Sequence, residues 1–418
     1  MNENNYPKYR WYVLVSLIAA NVIQGMLLIS PTPLVGEIAK SMNMDLGGAT
    51  ASVMLPFTLM VAIGGILSGF VMDRIGLGKT FIASTVIIVI TSFLMPVFGD
   101  TSSGLVILRA IQGLACSPIN ASGPRVAAEW FPKNQRAMIQ GFMSAAFTFG
   151  ITIGFTVSPA IAATVGWNAA LSRIGILFIV SVVMFVIIAF GPKSPAVLKE
   201  SSVLDNDDTD FKKVFALPTF WMTLFTFFFL SWVSQGYNDL TPGHIAVPAP
   251  VGIGLGAQIS GRLMSTYTFA FVVGSLVSGF FLQKIFHGNS KKGIIVTYIL
   301  TAIFCGSVML PTVASNISIL TVCLMLAGFF MGMPGPFTFG FIASQYPSHI
   351  TGRVGGIIAG MGIFGGTIAV AVGSYALHAT GAYTVSIMIV VCVCILGAIA
   401  GVGVTTLEKF GKNDVAAN

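Results

Sequence analysis

Apolar runs long enough to cross a lipid bilayer recur along almost the whole chain and constrain its fold more than any other feature. A bilayer core about 30 Å thick requires roughly 20 apolar residues per helix. Only 8% of the 418 residues are charged, too few to cover a soluble protein of this size. We therefore expect an all-α polytopic membrane protein. Hydropathy and turn signals predict twelve transmembrane helices, at residues 11–36, 48–71, 80–98, 103–128, 137–164, 168–190, 216–238, 259–283, 293–312, 317–344, 353–379 and 382–406.

The basic residues predict how these helices are oriented. If the N-terminus is cytoplasmic, nearly all lysines and arginines outside the spans lie on the cytoplasmic side, and Lys40 lies on the other. This asymmetry is the positive-inside signature. It predicts a multi-pass protein of the cytoplasmic (inner) membrane with both termini in the cytoplasm. Because orientation in the lipid bilayer explains the net charge of +7, we expect no nucleic-acid partner. The first apolar run lacks a small-residue cleavage site and is expected to remain as a span.

Residue types that commonly bind metals form no ligand pattern in this sequence. All five cysteines fall inside predicted spans, where burial as small apolar residues is expected. The four histidines are scattered, and the acidic run DNDDTD lacks the glycine and the final glutamate of a calcium loop. We therefore expect no metal and no cofactor. Because no acid pair, metal cluster or nucleotide loop appears either, we expect no enzyme activity.

The two halves of the chain resemble each other. Phe131-Pro132 aligns with Tyr346-Pro347 at an offset of 215 residues, and several glycines superpose at the same offset. These glycine pairs are Gly113 and Gly328, Gly141 and Gly356, Gly150 and Gly365, and Gly166 and Gly381. Duplication predicts an N-terminal six-helix bundle at 1–191, a cytoplasmic linker at 192–214 and a C-terminal six-helix bundle at 215–418. Many secondary transporters have this organisation.

The loop between the second and third spans carries the most specific motif. It reads GFVMDRIGLGKT and resembles the signature loop of the major facilitator superfamily at Gly69, Asp73, Arg74, Gly76 and Lys79. The resemblance covers the whole chain and implies two pseudo-symmetric six-helix bundles that alternate access to a central site. It also implies that Asp73 pairs with the fourth or eleventh span as a gate at the cytoplasmic side. The alternative is a solvated turn without a latch.

Other segments resemble anion-transporting branches of this family. Residues 109–113, RAIQG, resemble the motif of its fourth span, while the run from Glu129 to Arg136 and the pair Gly166-Trp167 look like features of its anion transporters. The branches in question are monocarboxylate, oxalate/formate and nitrate or cyanate permeases. Within the fourth span, Arg125 lies one turn from Glu129, close to the cytoplasm, and we assign both to the gate, together with Arg353 at the start of span eleven.

Arginines inside predicted spans indicate where an anion binds. A charge at the bilayer centre costs about 2.5–3.5 kcal/mol on insertion scales, so these side chains should face a cavity, a partner or an interface. Arg109 shares a helix face with Gln112 and Asn120, and we expect this polar stripe to contact the substrate. Arg173 lies close to a turn and is expected to reach the headgroups.

The other candidate substrate contacts are polar or aromatic residues of spans one, seven and eight. Each has a structural alternative: amides can join helices, an aromatic stripe can be packing, and an arginine near a span end can reach the headgroups. The candidates are Asn21, Gln24, Trp232, Gln235, Arg262 and Ser265.

Acidic residues are expected at the ends of spans and not in their middles. Asp239 and Glu37, near the outer ends of spans seven and one, are therefore the candidates for proton coupling. The segment that begins at Asp239 and ends at His244 reads DLTPGH and matches no motif that we can assign.

Taken together, these features predict a secondary active transporter for a small organic anion, a mono- or dicarboxylate. We expect a monomer that works by rocker-switch alternating access, as a proton symporter or as an exchanger that uses a counter-anion. An inorganic-anion permease of the nitrate or cyanate kind is the alternative. A drug or cation exporter is a weaker alternative. Such a protein would be expected to have a buried carboxylate, whereas acidic residues are expected here only at the ends of spans.

Overall fold

A computed structural model describes residues 7–132, 135–192, 214–346 and 348–405. Over these ranges the chain folds into helices, turns and short irregular connections, without strands. Seventeen α-helices are described, and we label them in chain order. They are α1 Tyr9–Ile29, α2 Val35–Ser41, α3 Leu46–Ile75, α4 Leu77–Phe98, α5 Ser102–Ala121, α6 Gly123–Trp130, α7 Arg136–Val165, α8 Trp167–Ile176, α9 Phe178–Phe190, α10 Pro218–Ala246, α11 Gly256–Lys284, α12 Ser290–Ser307, α13 Pro311–Ala314, α14 Ile317–Met331, α15 Pro334–Gln345, α16 Ser348–Thr380 and α17 Tyr383–Val402.

Within the described residues, ten stretches of helix are long and apolar enough to cross a membrane. Two further long helices, α10 and α12, occupy the positions of the predicted seventh and ninth spans. α10 contains polar residues near its C-terminal end, and α12 begins with Lys291 and Lys292, so both are less apolar than the rest. Together these helices agree with the predicted arrangement of twelve spans.

Prolines divide three of the predicted spans. α1 ends at Ile29, ahead of Pro31 and Pro33, so span one does not run to residue 36 as a single helix. Span four is divided between α5 and α6 just before Pro124, and span ten between α14 and α15 just before Pro334. Proline lacks the N–H that would continue a helix and clashes with the preceding turn. Each of these three spans is therefore built from more than one helical segment.

Span seven was predicted too short. We expected it to end at residue 238, but α10 continues to Ala246, two turns further. Asp239, expected beyond the end of the span, is therefore inside a helix, and its side chain is only 1% exposed. Hydropathy missed these turns because their polar residues are buried against protein, not exposed to lipid.

The described contacts divide the chain into two compact units. Unit 1 consists of Met1–Leu204, Ile245–Val247 and Gly254–Ser265. Unit 2 consists of Asp205–His244, Pro248–Ile253 and Thr266–Asn418. Nearly all of the predicted linker 192–214 falls on residues 193–213, which lie outside the described ranges.

Glycines related by the repeat play the same part in each unit. In unit 1, a methyl group at Gly113 would overlap the carbonyl oxygen of Phe57 on α3. In unit 2, a methyl group at Gly328 would overlap the carbonyl oxygen of Tyr267 on α11 in the same way. Each glycine thus lets two helix backbones approach closely, as small residues do in membrane proteins.

A second pair of glycines repeats this relation. Gly150 on α7 abuts the backbone of Val22 on α1, and Gly365 on α16 abuts the backbone of Phe228 on α10. The shared offset of these pairs was read from the sequence alone, and their equivalent contacts confirm two pseudo-symmetric bundles.

Replacing Gly113 or Gly328 by alanine should lower the melting temperature of the purified protein in detergent. Overpacking costs about 1–3 kcal/mol, which exceeds the ~1 kcal/mol by which alanine is favoured over glycine in a helix. Gly141→Ala is the matched control, because a methyl group there meets no described atom within 4 Å. Equal melting temperatures for Gly113→Ala and Gly141→Ala would contradict this account of the helix contacts.

Candidate substrate and coupling sites

Arg109 is completely buried in unit 1 and joins three helices. From α5, its Nε donates to the carbonyl of Val53 on α3 at 2.8 Å. Its two terminal nitrogens donate to the carbonyls of Leu27 and Leu28 on α1, at 3.1 and 3.2 Å. The guanidinium carbon lies 4.4 Å from the ring centroid of Phe57, within the range of a cation–π interaction.

The prolines after α1 explain why its last turn needs this arginine. In a continuous helix the carbonyl of Leu27 would accept from the N–H of residue 31, but residue 31 is proline and has none. Arg109 Nη1 and the Ser30 hydroxyl donate to that carbonyl instead, each at 3.1 Å. A cation is also favoured at a helix C-terminus by the helix dipole. The arginine thus caps α1.

Gln112 extends this network to α4. Its side-chain oxygen accepts from Arg109 Nη1 at 3.3 Å, and its amide nitrogen donates to the hydroxyl of Ser92 at 3.3 Å. Ser92 in turn donates to the carbonyl of Ile88 at 2.6 Å. The polar stripe predicted on α5 is present in the structure. Its first two residues, Arg109 and Gln112, form hydrogen bonds within unit 1.

Asn120, the third member of the stripe, is exposed. It lies about 20° around the helix from Arg109 and about 180° from Ile111, which belongs to the exposed apolar face of α5. Asn120 is therefore exposed on the polar side of α5, close to the C-terminal end of the helix at Ala121.

The amides of α1 differ from each other. Asn21 is buried and donates to the carbonyl of Leu17 at 2.8 Å, a local contact within the helix. Gln24 is 1% exposed, and its side-chain oxygen has no hydrogen-bond partner among the described residues. Gln24 therefore retains an acceptor to offer a ligand.

The start of α11 belongs to unit 1 and contains two predicted site residues. Ser265 is half-buried, donates to the carbonyl of Thr152 at 2.6 Å and is hydrogen-bonded to the hydroxyl of Thr156. Arg262 is exposed. An exposed guanidinium is accessible to solutes, in contrast to that of Arg109.

In unit 2, α10 holds a buried carboxylate against an amide. The side-chain nitrogen of Gln235 donates to both carboxylate oxygens of Asp239, at 3.0 Å each. Gln235 is half-buried and packs on Gly366 of α16. Trp232 is also half-buried, and its ring lies 6.1 Å from that of Phe228. The structure thus brings Gln235 and Asp239 together, although the sequence predicted them for different roles. By contrast, Glu37 is exposed on α2.

The signature loop forms a one-residue turn between α3 and α4. Gly76 has φ +85°, a left-handed conformation that side chains other than glycine rarely adopt. Arg74 and Lys79 flank it and are exposed. Glu129 is half-buried on α6. The side chains of Asp73, Arg125 and Arg353 and the surroundings of Gly69 lie outside what the structure describes, and the pairing of the gate stays a prediction.

Comparison with known proteins identifies the family. A sequence profile described as Major Facilitator Superfamily matches residues 15–247 and 245–416. The chain belongs to the Major Facilitator Superfamily. It is therefore a membrane transporter and not an enzyme.

The relatives of this transporter include proteins named for organic acids. The cis,cis-muconate transport protein of Acinetobacter baylyi is 25% identical, and the alignment covers 78% of each chain. The probable galactarate/D-glucarate transporter of Bacillus subtilis is 22% identical over 91% of this chain and 88% of its own length.

Among solved structures, a D-xylose-proton symporter matches with a TM-score of 0.76 at 16% identity. The alignment covers 96% of this chain and all of that one. At this identity the likeness concerns the fold, and it agrees with the two-bundle organisation.

We expect Arg109→Gln to destabilise this transporter by about 2–4 kcal/mol, because glutamine cannot reach the carbonyls of three helices and leaves buried acceptors unpaired. Thermal unfolding in detergent measures the effect, with Arg74→Gln as the exposed control. If Arg109→Gln kept its melting temperature and only raised KM, the guanidinium would be a substrate contact and not the cap of α1.

Proposed function

We propose that this transporter is a proton symporter for a small organic anion, a mono- or dicarboxylate, in the cytoplasmic membrane. The observation that carries the proposal is the buried carboxylate of Asp239, in a chain whose relatives are named for muconate and galactarate/D-glucarate transport. The positive-inside pattern of the sequence supports cytoplasmic termini. The transporter acts as a monomer by rocker-switch alternating access.

Electrostatic linkage explains why a buried carboxylate suits an anion symporter. The amide of Gln235 donates to both oxygens of the buried Asp239 carboxylate. An anion that binds beside the pair repels the ionised carboxylate. Anion binding and proton binding then favour each other, and by linkage the effect is reciprocal.

Two groups of residues would contact the anion. In unit 2 we assign Trp232 and Gln235, which are half-buried on the same helix as Asp239. In unit 1 we assign Gln24, whose side-chain oxygen has no described partner, and the exposed residues Asn120 and Arg262. The positive charge of Arg262 attracts an anion from solution.

Other residues have positioning roles in this proposal. Arg109 and Gln112 fix the end of α1 and so place the amides of that helix. Asn21 and Ser265 support their own helices through carbonyl contacts. The gate comprises the loop of Gly69, Asp73, Arg74, Gly76 and Lys79 with Arg125, Glu129 and Arg353. Glu37 is a weaker candidate for coupling because it is exposed.

A cation or drug exporter is the second candidate, and Asp239 is the observation that favours it. A buried carboxylate is what such a transporter would use to attract an organic cation. The names of the relatives support an anion instead. Exchange against an internal anion and transport of an inorganic anion are the further alternatives, and the same assay separates them.

Asp239→Asn should abolish uptake driven by an inward proton gradient and retain counterflow at equal pH, because asparagine cannot carry the proton. The assay uses proteoliposomes and radiolabelled galactarate, D-glucarate, muconate and nitrate, with a radiolabelled organic cation to test the exporter. Asp45→Asn is the control: Asp45 is exposed and caps α3, a role that asparagine fills equally well.

Other outcomes would contradict the proposal. Wild-type uptake that responds to internal anion but not to a proton gradient would indicate exchange. Gradient-driven uptake that survives Asp239→Asn would remove Asp239 from coupling. Transport of organic cations alone would support the exporter.

A further inference from the structure

The C-terminal end of α10 is enclosed by protein on every side. Each residue from Gly236 to His244 is buried, whereas the first part of the helix exposes Trp221 and Phe225. This end contains the whole segment DLTPGH, residues 239–244, which matched no motif. It is also rich in polar side chains, which makes its burial unusual.

Several of these polar side chains lack well-formed hydrogen bonds. Among the described residues, the side-chain oxygens of Tyr237, Asn238 and Thr241 and both ring nitrogens of His244 make no hydrogen bond of good geometry, although Thr241 and the Cys305 thiol lie beside the Tyr237 hydroxyl and the backbone of Val251 and Val308 lies beside the imidazole. The hydroxyls of Tyr267 and Tyr383 are in the same state. An unsatisfied buried polar group costs about 1–3 kcal/mol, and native proteins keep few of them. A cluster of this size indicates a site that binds small polar species.

Helix geometry arranges the groups in a row. Tyr237, Thr241 and His244 lie at i, i+4 and i+7, on one face of α10. At one end, the ring of Tyr267 on α11 lies 5.1 Å from that of Tyr237. At the other end, the ring of Tyr383 on α17 lies 6.0 Å from that of His244. The row is about 10 Å long, since seven residues rise 1.5 Å each.

Asp239 lies on the other side of the same helix, about 200° around from Tyr237. Asn238 lies between the two faces, about 100° from each. Pro242 has no N–H, so the backbone carbonyl of Asn238 lacks its usual helical donor. Both the side chain and the backbone of Asn238 therefore offer polar atoms between the row and the carboxylate.

His244 is placed at the end of this arrangement nearest the C-terminus of α10, where its side chain is buried. Its carbonyl accepts from the N–H of Ile253 at 2.8 Å, which holds the segment 248–253 against the helix end. That segment, PAPVGI, contains no titratable residue. The backbone of Val251 and that of Val308, just after α12, also lie beside the ring. In the orientation proposed above, this end faces away from the cytoplasm.

The surrounding titratable groups do not change charge near neutral pH. Elements packed against this part of α10 contribute tyrosines and cysteines, which titrate well above neutral pH in water. The buried tyrosines and cysteines of these elements are Tyr267, Tyr298, Cys305, Tyr383 and Cys394, of which Tyr298 contacts an earlier turn of α10 at Thr226. Lys284, Lys291 and Lys292 lie at the opposite ends of α11 and α12. In water, histidine and aspartate titrate at lower pH than these groups, so His244 and Asp239 are the candidates for proton exchange on this part of α10.

We propose that His244, with the hydroxyls of Tyr237, Thr241 and Tyr383, forms a hydrated proton-uptake site that loads Asp239. The imidazole takes a proton from hydronium on the solvent side. It releases that proton through bound water, past Asn238, to the Asp239 carboxylate, and returns to its neutral form. The inference rests on the proton symport proposed above and adds the path by which the proton arrives.

The test compares two activities of purified transporter in proteoliposomes. His244→Gln should reduce galactarate uptake driven by a proton gradient about tenfold or more and change the external pH profile of that uptake. Counterflow at equal pH, which needs no net proton movement, should remain near the wild-type rate. Tyr383→Phe removes only a hydroxyl from the same site and should give a smaller loss of gradient-driven uptake alone.

Tyr298→Phe is the matched control. Tyr298 is buried in the same unit, but its hydroxyl donates to the carbonyl of Thr226 at 2.6 Å. Its loss should lower the melting temperature without changing the pH profile. A parallel loss of both activities in His244→Gln and Tyr383→Phe, or no change in either, would overturn the uptake site.

Failure of the proposed function itself would look different. Wild-type transporter without gradient-driven uptake would refute proton symport, and the uptake site with it. Gradient-driven uptake that depends on Asp239 but not on His244 would refute the uptake site alone.

Discussion

Backbone groups that lose a helical partner inside a bilayer must find another partner within the protein, and the described structure is organised around this constraint. Pro31 and Pro33 deprive the end of α1 of two donors. The guanidinium of Arg109 replaces one of them from a helix 82 residues away in sequence. An arginine in an apolar span thus becomes a junction of α1, α3 and α5 instead of an isolated charge.

The two units use ionisable groups in different ways. Unit 1 holds a permanent cation that is fully engaged by carbonyls. Unit 2 holds the carboxylate of Asp239 against a neutral amide, and we propose that this carboxylate gains and loses a proton. A fixed charge can stabilise a helix end through every step of a transport cycle, whereas coupling requires a group that changes its charge. The division suits a duplicated fold whose halves have kept their packing and diverged in their polar residues.

The sequence predicted the packing of the helices better than it predicted the roles of the polar residues. Gly113 and Gly328 could be paired because close helix contact demands a residue without a side chain, whatever surrounds it. The role of Arg109 could not be read in the same way, since its partners are carbonyls that every residue possesses. The signal for it was Pro31, four positions after the carbonyl that needed a donor. For His244 the signal was a polar run where hydropathy ended the span.

The sequence by itself determined a polytopic membrane protein of the major facilitator kind with an internal repeat, and it predicted an orientation. These properties follow from the length of apolar runs, the positions of glycines and the distribution of basic residues, all of which are local or additive. Only the tertiary structure decided that Arg109 is enclosed, that Asn120 is exposed and that Asp239 is buried beside Gln235. Burial and hydrogen bonding depend on which distant segments pack against a residue, and the residue's own neighbours in the chain do not specify that.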